Sequence, residues 1–334
     1  MTFSDSTTQL TDEDMADTFH GDGGEEALRS GRRGRTFESC SPDSDLPAAM
    51  ETLAAGQVLL VEGLPNRVYH GLPCPSKSPL WDFRHRGPVW YDQRYVTRSQ
   101  SPFSSGALQL GSVVHAALEF GPGKYRGHLS EIPAEYLTAS GGLSSSAAAK
   151  AWAADQDPDL PLASPADLAT CEAILDQFFK NSKAVELYEQ IAWHELSAIH
   201  HRDDGHLLRC RFDAVTHLGT VLDWKTCRTP RPLDDFHKAV LDHGYHYQAA
   251  LYGEIAKAAG IGHGGMVFVA MSTVPPHEVQ VVYLPDALVE RCVQWIADDL
   301  EEIEVRRETG NWLPAGYGHI HELKFPAWSL KEID

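Results

Sequence analysis

Positive charge is scarce in this chain: 28 lysines and arginines stand against 47 aspartates and glutamates, a formal net charge of −19. A protein that holds nucleic acid by bulk electrostatics needs the opposite balance, so any such contact here must rest on a local basic channel. Cysteines are also few. Those at positions 40, 74, 171, 210, 227 and 292 show no C-x-x-C spacing, which argues against a structural zinc site and for a reducing cytoplasm. The histidines at 194, 200, 201 and 206 fit no helical or loop ligand pattern and do not revive zinc. No apolar run approaches the roughly 18 residues of a membrane span, and the acidic N-terminus lacks the charged-then-apolar pattern of a secretion signal.

Much of the acidic excess sits in residues 1–48, where Asp12-Glu13-Asp14, Asp22, Glu25-Glu26, Asp43 and Asp45 alternate with Gly, Ser and Thr. Such a segment has too little apolar surface to fold and reads as a disordered acidic tail. Arg29, Arg32, Arg33 and Arg35 interrupt it, and a solvated arm is the simpler account of them than a partner or DNA contact. Residues 49–334 are long enough for a full core as one domain with an elaboration.

Along that body, 48–63 predicts a short helix and a strand, followed by a Pro-, Ser- and Trp-rich stretch to about residue 104. Residues 106–120 place Leu110, Val114, Ala117 and Leu118 on one helical face. Helices are expected at 165–180, 182–192, 232–242, 245–260 and 286–309, and strands at 191–201, 206–216, 221–226, 266–271 and 279–284. Strands grouped in the middle of the chain with helices around them imply an α/β fold, a central mixed sheet covered on both sides.

The strings Arg211-Phe-Asp213 and Val221-Leu-Asp223-Trp-Lys225-Thr226 are the most informative. They fall on two runs that read as a hairpin, and Val221, Asp223 and Lys225 share one face of the second strand. Two carboxylates about 4 Å apart repel by roughly 4 kcal/mol at an effective dielectric near 20, so if Asp213 and Asp223 meet, a cation is the natural compensation. An ordinary ion pair between Asp223 and Lys225 on an edge strand is the alternative.

The string from Arg209 to Glu254 resembles the core of the RecE-type exodeoxyribonucleases, a branch of the PD-(D/E)xK nuclease superfamily. Val68-Tyr69-His70 with Ser76-Lys77-Ser78-Pro79-Leu80 resembles that family's opening segment, Leu110 to Glu119 its histidine-bearing helix, and Trp312 to Tyr317 with Leu323 to Trp328 its closing segment. The agreement runs in family order over roughly residues 66–330. Phe212 stands where the family commonly has proline. The four-cysteine iron–sulfur staple of some related nucleases lacks its ligands, because only Cys292 lies in the C-terminal region.

The resemblance implies a restriction-endonuclease-like core and a deoxyribonuclease that uses one or two Mg²⁺ or Mn²⁺ ions. It places His115, Asp213, Asp223 and the Trp224 carbonyl at the metal, and Lys225 at the attacking water, with the 3′ oxygen expelled and a 5′-phosphate left. Gln248 and Tyr252, four residues apart on one helical face, resemble the family's Q-x-x-x-Y element, which positions the lysine or the substrate. Glu195 matches a family glutamate of supporting role, or is a solvent-facing strand residue. Arg209 and Arg211 either reach a phosphate or balance the carboxylates. The family also implies 5′→3′ digestion of double-stranded DNA ends, a ring-shaped homo-oligomer and a single-strand annealing partner; the alternatives are an endonuclease or single-strand nuclease of the same fold, or a catalytically silent DNA- or protein-binding module.

Overall fold

The alternating runs of the sequence assemble into one large sheet. The computed structural model describes residues 35–37, 46–100, 106–262 and 264–323. In chain order these form β1 (Arg35–Phe37), α1 (Leu46–Thr52), β2 (Val58–Val61), α2 (Asn66–Gly71), α3 (Lys77–Arg86), α4 (Pro88–Tyr91) and α5 (Gly106–Phe120). Then come β3 (Ser130–Glu131), α6 (Ala147–Ala154), β4 (Leu162–Ala163), α7 (Pro165–Phe178), α8 (Ser182–Glu189), β5 (Ile191–His201), β6 (Leu207–Thr216) and β7 (Val221–Cys227). The described chain closes with α9 (Pro232–His243), α10 (Tyr245–Ala258), β8 (Met266–Ser272), β9 (Val279–Val282) and α11 (Asp286–Thr309).

Among the described residues the main sheet has seven strands in the order β1-β2-β5-β6-β7-β8-β9. It is mixed: β1 and β2 are parallel, as are β7 and β8, and the remaining neighbours are antiparallel. Strand β8 alternates cleanly. Val267, Val269 and Met271 join the core formed with α5 and α7, whereas Phe268 and Ala270 meet Phe236 and Val240 of α9 and Ala249 of α10. Helices therefore cover both faces, as an α/β sheet with strands this apolar requires. Local signals set the boundaries. Ser164 and Asp167 form a reciprocal capping box around Pro165 at the start of α7, and α11 stops at Gly310 in the left-handed region.

Most expected elements occur within two or three residues of their predicted bounds. The stretch to residue 104 differs, since it carries α2, α3 and α4, whose proline and tryptophan content hides a helical period. Pro88 opens α4 at a position where its missing N–H costs nothing. Of residues 1–48, read as a disordered acidic tail, Arg35–Phe37 pair with Val58–Leu60 and Leu46 begins α1. The rest of that segment lies outside the described residues, as do the family-like residues after Leu323.

Candidate active site

Strands β6 and β7 form only two registered pairs, Ala214 with Leu222 and Val215 with Val221. One step further the same register would set Asp213 directly opposite Asp223. There the ladder stops, and the Trp224 N–H that a strand partner would have engaged donates instead to Asp213 Oδ2, at 2.7 Å. The same place breaks the alternation of β6: Phe212 packs with the α10 side of the core, and Ala214 with the α5 side. Glu195, across from Asp213 on β5, takes up the matching twist with φ +46°. A left-handed glutamate is costly and is held by its surroundings. The two irregularities turn both carboxylates toward α5.

His115 waits there. Its Nε2 lies 3.0 Å from the Trp224 carbonyl. A carbonyl only accepts, so Nε2 carries the proton and donates it. The other nitrogen, Nδ1, faces Asp213 Oδ1 at 3.8 Å and Glu195 Oε1 at 3.9 Å. Burial opposes charge on this imidazole, but Asp213 and Glu195 outweigh it and raise His115 to about 9. Burial, then the nearby Asp223 charge, pushes Asp213 up to about 7.

On the other side of Trp224, Asp223 is buried at 1 % exposure. One of its oxygens accepts from the Gln248 amide and the other pairs with Lys225. Burial works against the Lys225 charge, yet Asp223 and then Asp213 hold the ammonium firmly protonated. Its Nζ also sits 4.9 Å over the Tyr245 ring. Asp223, Lys225, Gln248 and Tyr245 thus form a second, charge-paired group behind the first.

The structure brings His115, Glu195 and Asp213 together, with ligand atoms within 4.8 Å of one another. The Trp224 carbonyl is spent in part on orienting His115, leaving one lone pair, and Asp223 stands one residue away with its charge paired. Once a cation displaces the Nδ1 proton, an imidazole fixed by a carbonyl on its far side, beside two carboxylates, is a donor set that suits a hard divalent ion. The raised Asp213 points the same way: like charges are gathered where a cation would relieve them.

The two arginines turn out differently. Arg209 is buried at 6 % exposure, stacks over Tyr69 at 5.0 Å, and donates to the carbonyls of Leu72, at 2.6 Å, and Cys74. It clamps the approach to α3 through these two carbonyls. Arg211 spends its donors on Ser197 Oγ, Asn66 Oδ1 and the Leu64 carbonyl and lies 3.9 Å from Glu195 Oε2, so it balances a carboxylate. Tyr252 packs edge-on against Phe212 with its ring centroid 5.6 Å away. Replacing Arg209 by Met is expected to cost about 3 kcal/mol in urea denaturation, because one buried and one half-buried carbonyl lose their donor. A loss under about 1 kcal/mol would show that the clamp is unimportant.

Two residues escape the sequence reading. Glu119, one turn beyond His115 on α5, is pushed up to about 7 by burial and by Glu195, so a third acid stands beside the cluster. The i,i+4 spacing of His115 and Glu119 was the available signal. Lys77, the first residue of α3, lies 5.5 Å over the Tyr245 ring that Lys225 also faces. Nothing in local sequence links it to residues about 150 positions away.

The sequence profile of the PD-(D/E)XK nuclease superfamily matches residues 86–314. No curated protein matches the chain. Among solved structures, a protein of Eubacterium rectale named as a candidate exonuclease is similar at 16 % identity with a TM-score of 0.49, over 76 % of this chain and 90 % of that one. No helix among the described residues is long and apolar enough to cross a membrane. The profile covers well over half of the sequence, and with the mixed, helix-flanked sheet around it, the chain belongs to the PD-(D/E)XK nuclease superfamily and has its restriction-endonuclease-like fold.

Proposed function

We propose that the chain is a Mg²⁺- or Mn²⁺-dependent exodeoxyribonuclease that degrades double-stranded DNA ends 5′→3′ and leaves 3′ single strands for recombination. The observation that carries the metal-dependent part is the adjacency of the His115, Glu195 and Asp213 cluster to the Asp223–Lys225 pair, separated by Trp224 alone. His115, Glu195 and Asp213, with Asp223 beside them, would hold the cation. A divalent ion there supplies Lewis-acid polarisation of the phosphate and acidifies a water toward neutrality.

The chain's own residues do the rest. Trp224 fixes both His115, through its carbonyl, and Asp213, through its N–H. Gln248 holds one oxygen of Asp223, so the other stays on Lys225. The Lys225 ammonium then stands ready to orient a water and to offset negative charge growing on the phosphate oxygens in the transition state. Polarity, a ring-shaped homo-oligomer and a single-strand annealing partner rest on the resemblance to the RecE-type enzymes.

Linear duplex DNA labelled separately at its 5′ and 3′ ends tests the reading, alongside a closed circular duplex, each with Mg²⁺, Mn²⁺ or EDTA. Loss of the 5′ labels first, dependence on metal and an intact circle are expected. Cleavage of the circle would make the chain an endonuclease of the same fold. No cleavage with either metal, by folded protein, would overturn the enzymatic reading.

A further inference from the structure

Lys77 is a charged residue that the site encloses and the proposed chemistry does not use. The segment that delivers it is pinned: the Arg209 backbone N–H donates to the Pro75 carbonyl at 3.0 Å, and the Arg209 side chain holds Cys74 and Leu72. One turn along α3, the Trp81 ring packs over Gly244, where a Cβ would collide with it. Position 77 is thereby fixed against the junction of α9 and α10.

An ammonium group has three N–H donors. Lys77 gives one to the carbonyl of His243, at the C-terminal end of α9, and rests over the Tyr245 face. No carboxylate among the described residues makes an ion pair with it. Asp223 is engaged on both oxygens, and Asp82, one turn along α3, is taken by Arg86 and the Tyr95 hydroxyl. Lys77, at 5.5 Å, and Lys225, at 4.9 Å, both face the Tyr245 ring, so two like charges crowd one ring. Burial and the Lys225 charge lower Lys77 to about 7. Crowding of this kind is unfavourable in the free protein and becomes favourable once an anion enters between the cations.

We infer that Lys77 is a second phosphate-binding lysine of this site, contacting a backbone phosphate of the DNA strand engaged by Lys225. The inference rests on the nuclease reading for the identity of the anion. It also answers the shortage of basic residues: with a charge of −19 overall, the chain concentrates cations where the phosphate must lie.

Binding of a fluorescent linear duplex is measured in EDTA, where the strand stays intact, over a range of salt concentrations for the wild type, Lys77→Met and Lys77→Arg. Rates with Mg²⁺ are measured in parallel and thermal melts confirm folding, with Lys77→Gln used should the Met variant fail to fold. One lost phosphate contact flattens the slope of log affinity against log salt by about 0.7–0.9, and Arg, which keeps the charge, retains the wild-type slope. Turnover of the Met variant is expected to fall at least about tenfold. An unchanged slope in the Met variant overturns the inference whatever happens to turnover, since a merely structural lysine alters stability and not counterion release. A flattened slope in a protein that never cleaves DNA would uphold the phosphate contact while sinking the nuclease reading.

Discussion

Replacing Lys225 by Met is expected to lower the rate of DNA cleavage by about 10²–10³-fold and, separately, to destabilise the protein by about 3 kcal/mol. The two losses have different origins. The rate falls because the one ammonium paired to the site no longer offsets charge growing on the phosphate. The fold suffers because Asp223, 1 % exposed, is left as a buried carboxylate with only the Gln248 amide as partner. Adding Asp223→Asn to Lys225→Met removes that stranded charge and is expected to return most of the stability while activity stays lost. Initial rates and urea denaturation of both singles and the double separate the effects. If Lys225→Met kept wild-type stability, the pair would be solvated enough to be dispensable to the fold. If it kept wild-type rates, Lys225 would have no part in the chemistry.

Asp213, Asp223 and Lys225 were legible because strand periodicity is a local property: two short apolar runs joined at Gly219 suffice to place them on neighbouring strands. The helix of His115 was equally plain from its apolar face. The sequence could not show that the ladder between β6 and β7 ends after two pairs, since that depends on Glu195 adopting φ +46° on a third strand. Period two alone sets Arg209, Arg211 and Asp213 on one face, and the break in alternation at Asp213 is what sends the arginines to Tyr69 and the aspartate to His115. Glu119 was signalled only by its i,i+4 spacing from His115, whereas Lys77 belongs to the site through packing of α3 against the sheet, which leaves no spacing rule in the chain. The arrangement of the metal cluster, with Glu195 inside it and Asp223 beside it, follows from those same long-range contacts.

The acid cluster also implies that activity and stability oppose each other at Asp213. Burial and the Asp223 charge raise its folded pKa to about 7, well above the value of an aspartate in an unfolded chain. A carboxyl whose folded pKa is raised costs nothing below pH ~4, where both states are protonated. The cost grows between about 4 and 7 as the unfolded state ionises first, and is fully present above 7. In EDTA at pH 8, Asp213→Asn is therefore expected to be more stable than the wild type. A rise from the ordinary aspartate pKa to about 7, with the attraction to His115 already included, sets a ceiling of about 4 kcal/mol on the gain. The Asn carbonyl can still accept from the Trp224 N–H, so the gap between β6 and β7 stays bridged. Below pH ~4 the advantage should vanish. Millimolar Mg²⁺ or Mn²⁺ should then reverse the order, because a cation that binds only the folded wild-type cluster adds stability by mass action, and the Asn variant has lost one of its ligands. Thermal melts of both proteins at about pH 4, 6 and 8, with EDTA and with metal, give the whole pattern. A variant less stable than the wild type in EDTA at pH 8 would mean that the carboxylates are not in conflict in the metal-free protein, and the electrostatic case for a cation at His115, Glu195 and Asp213 would fall with it.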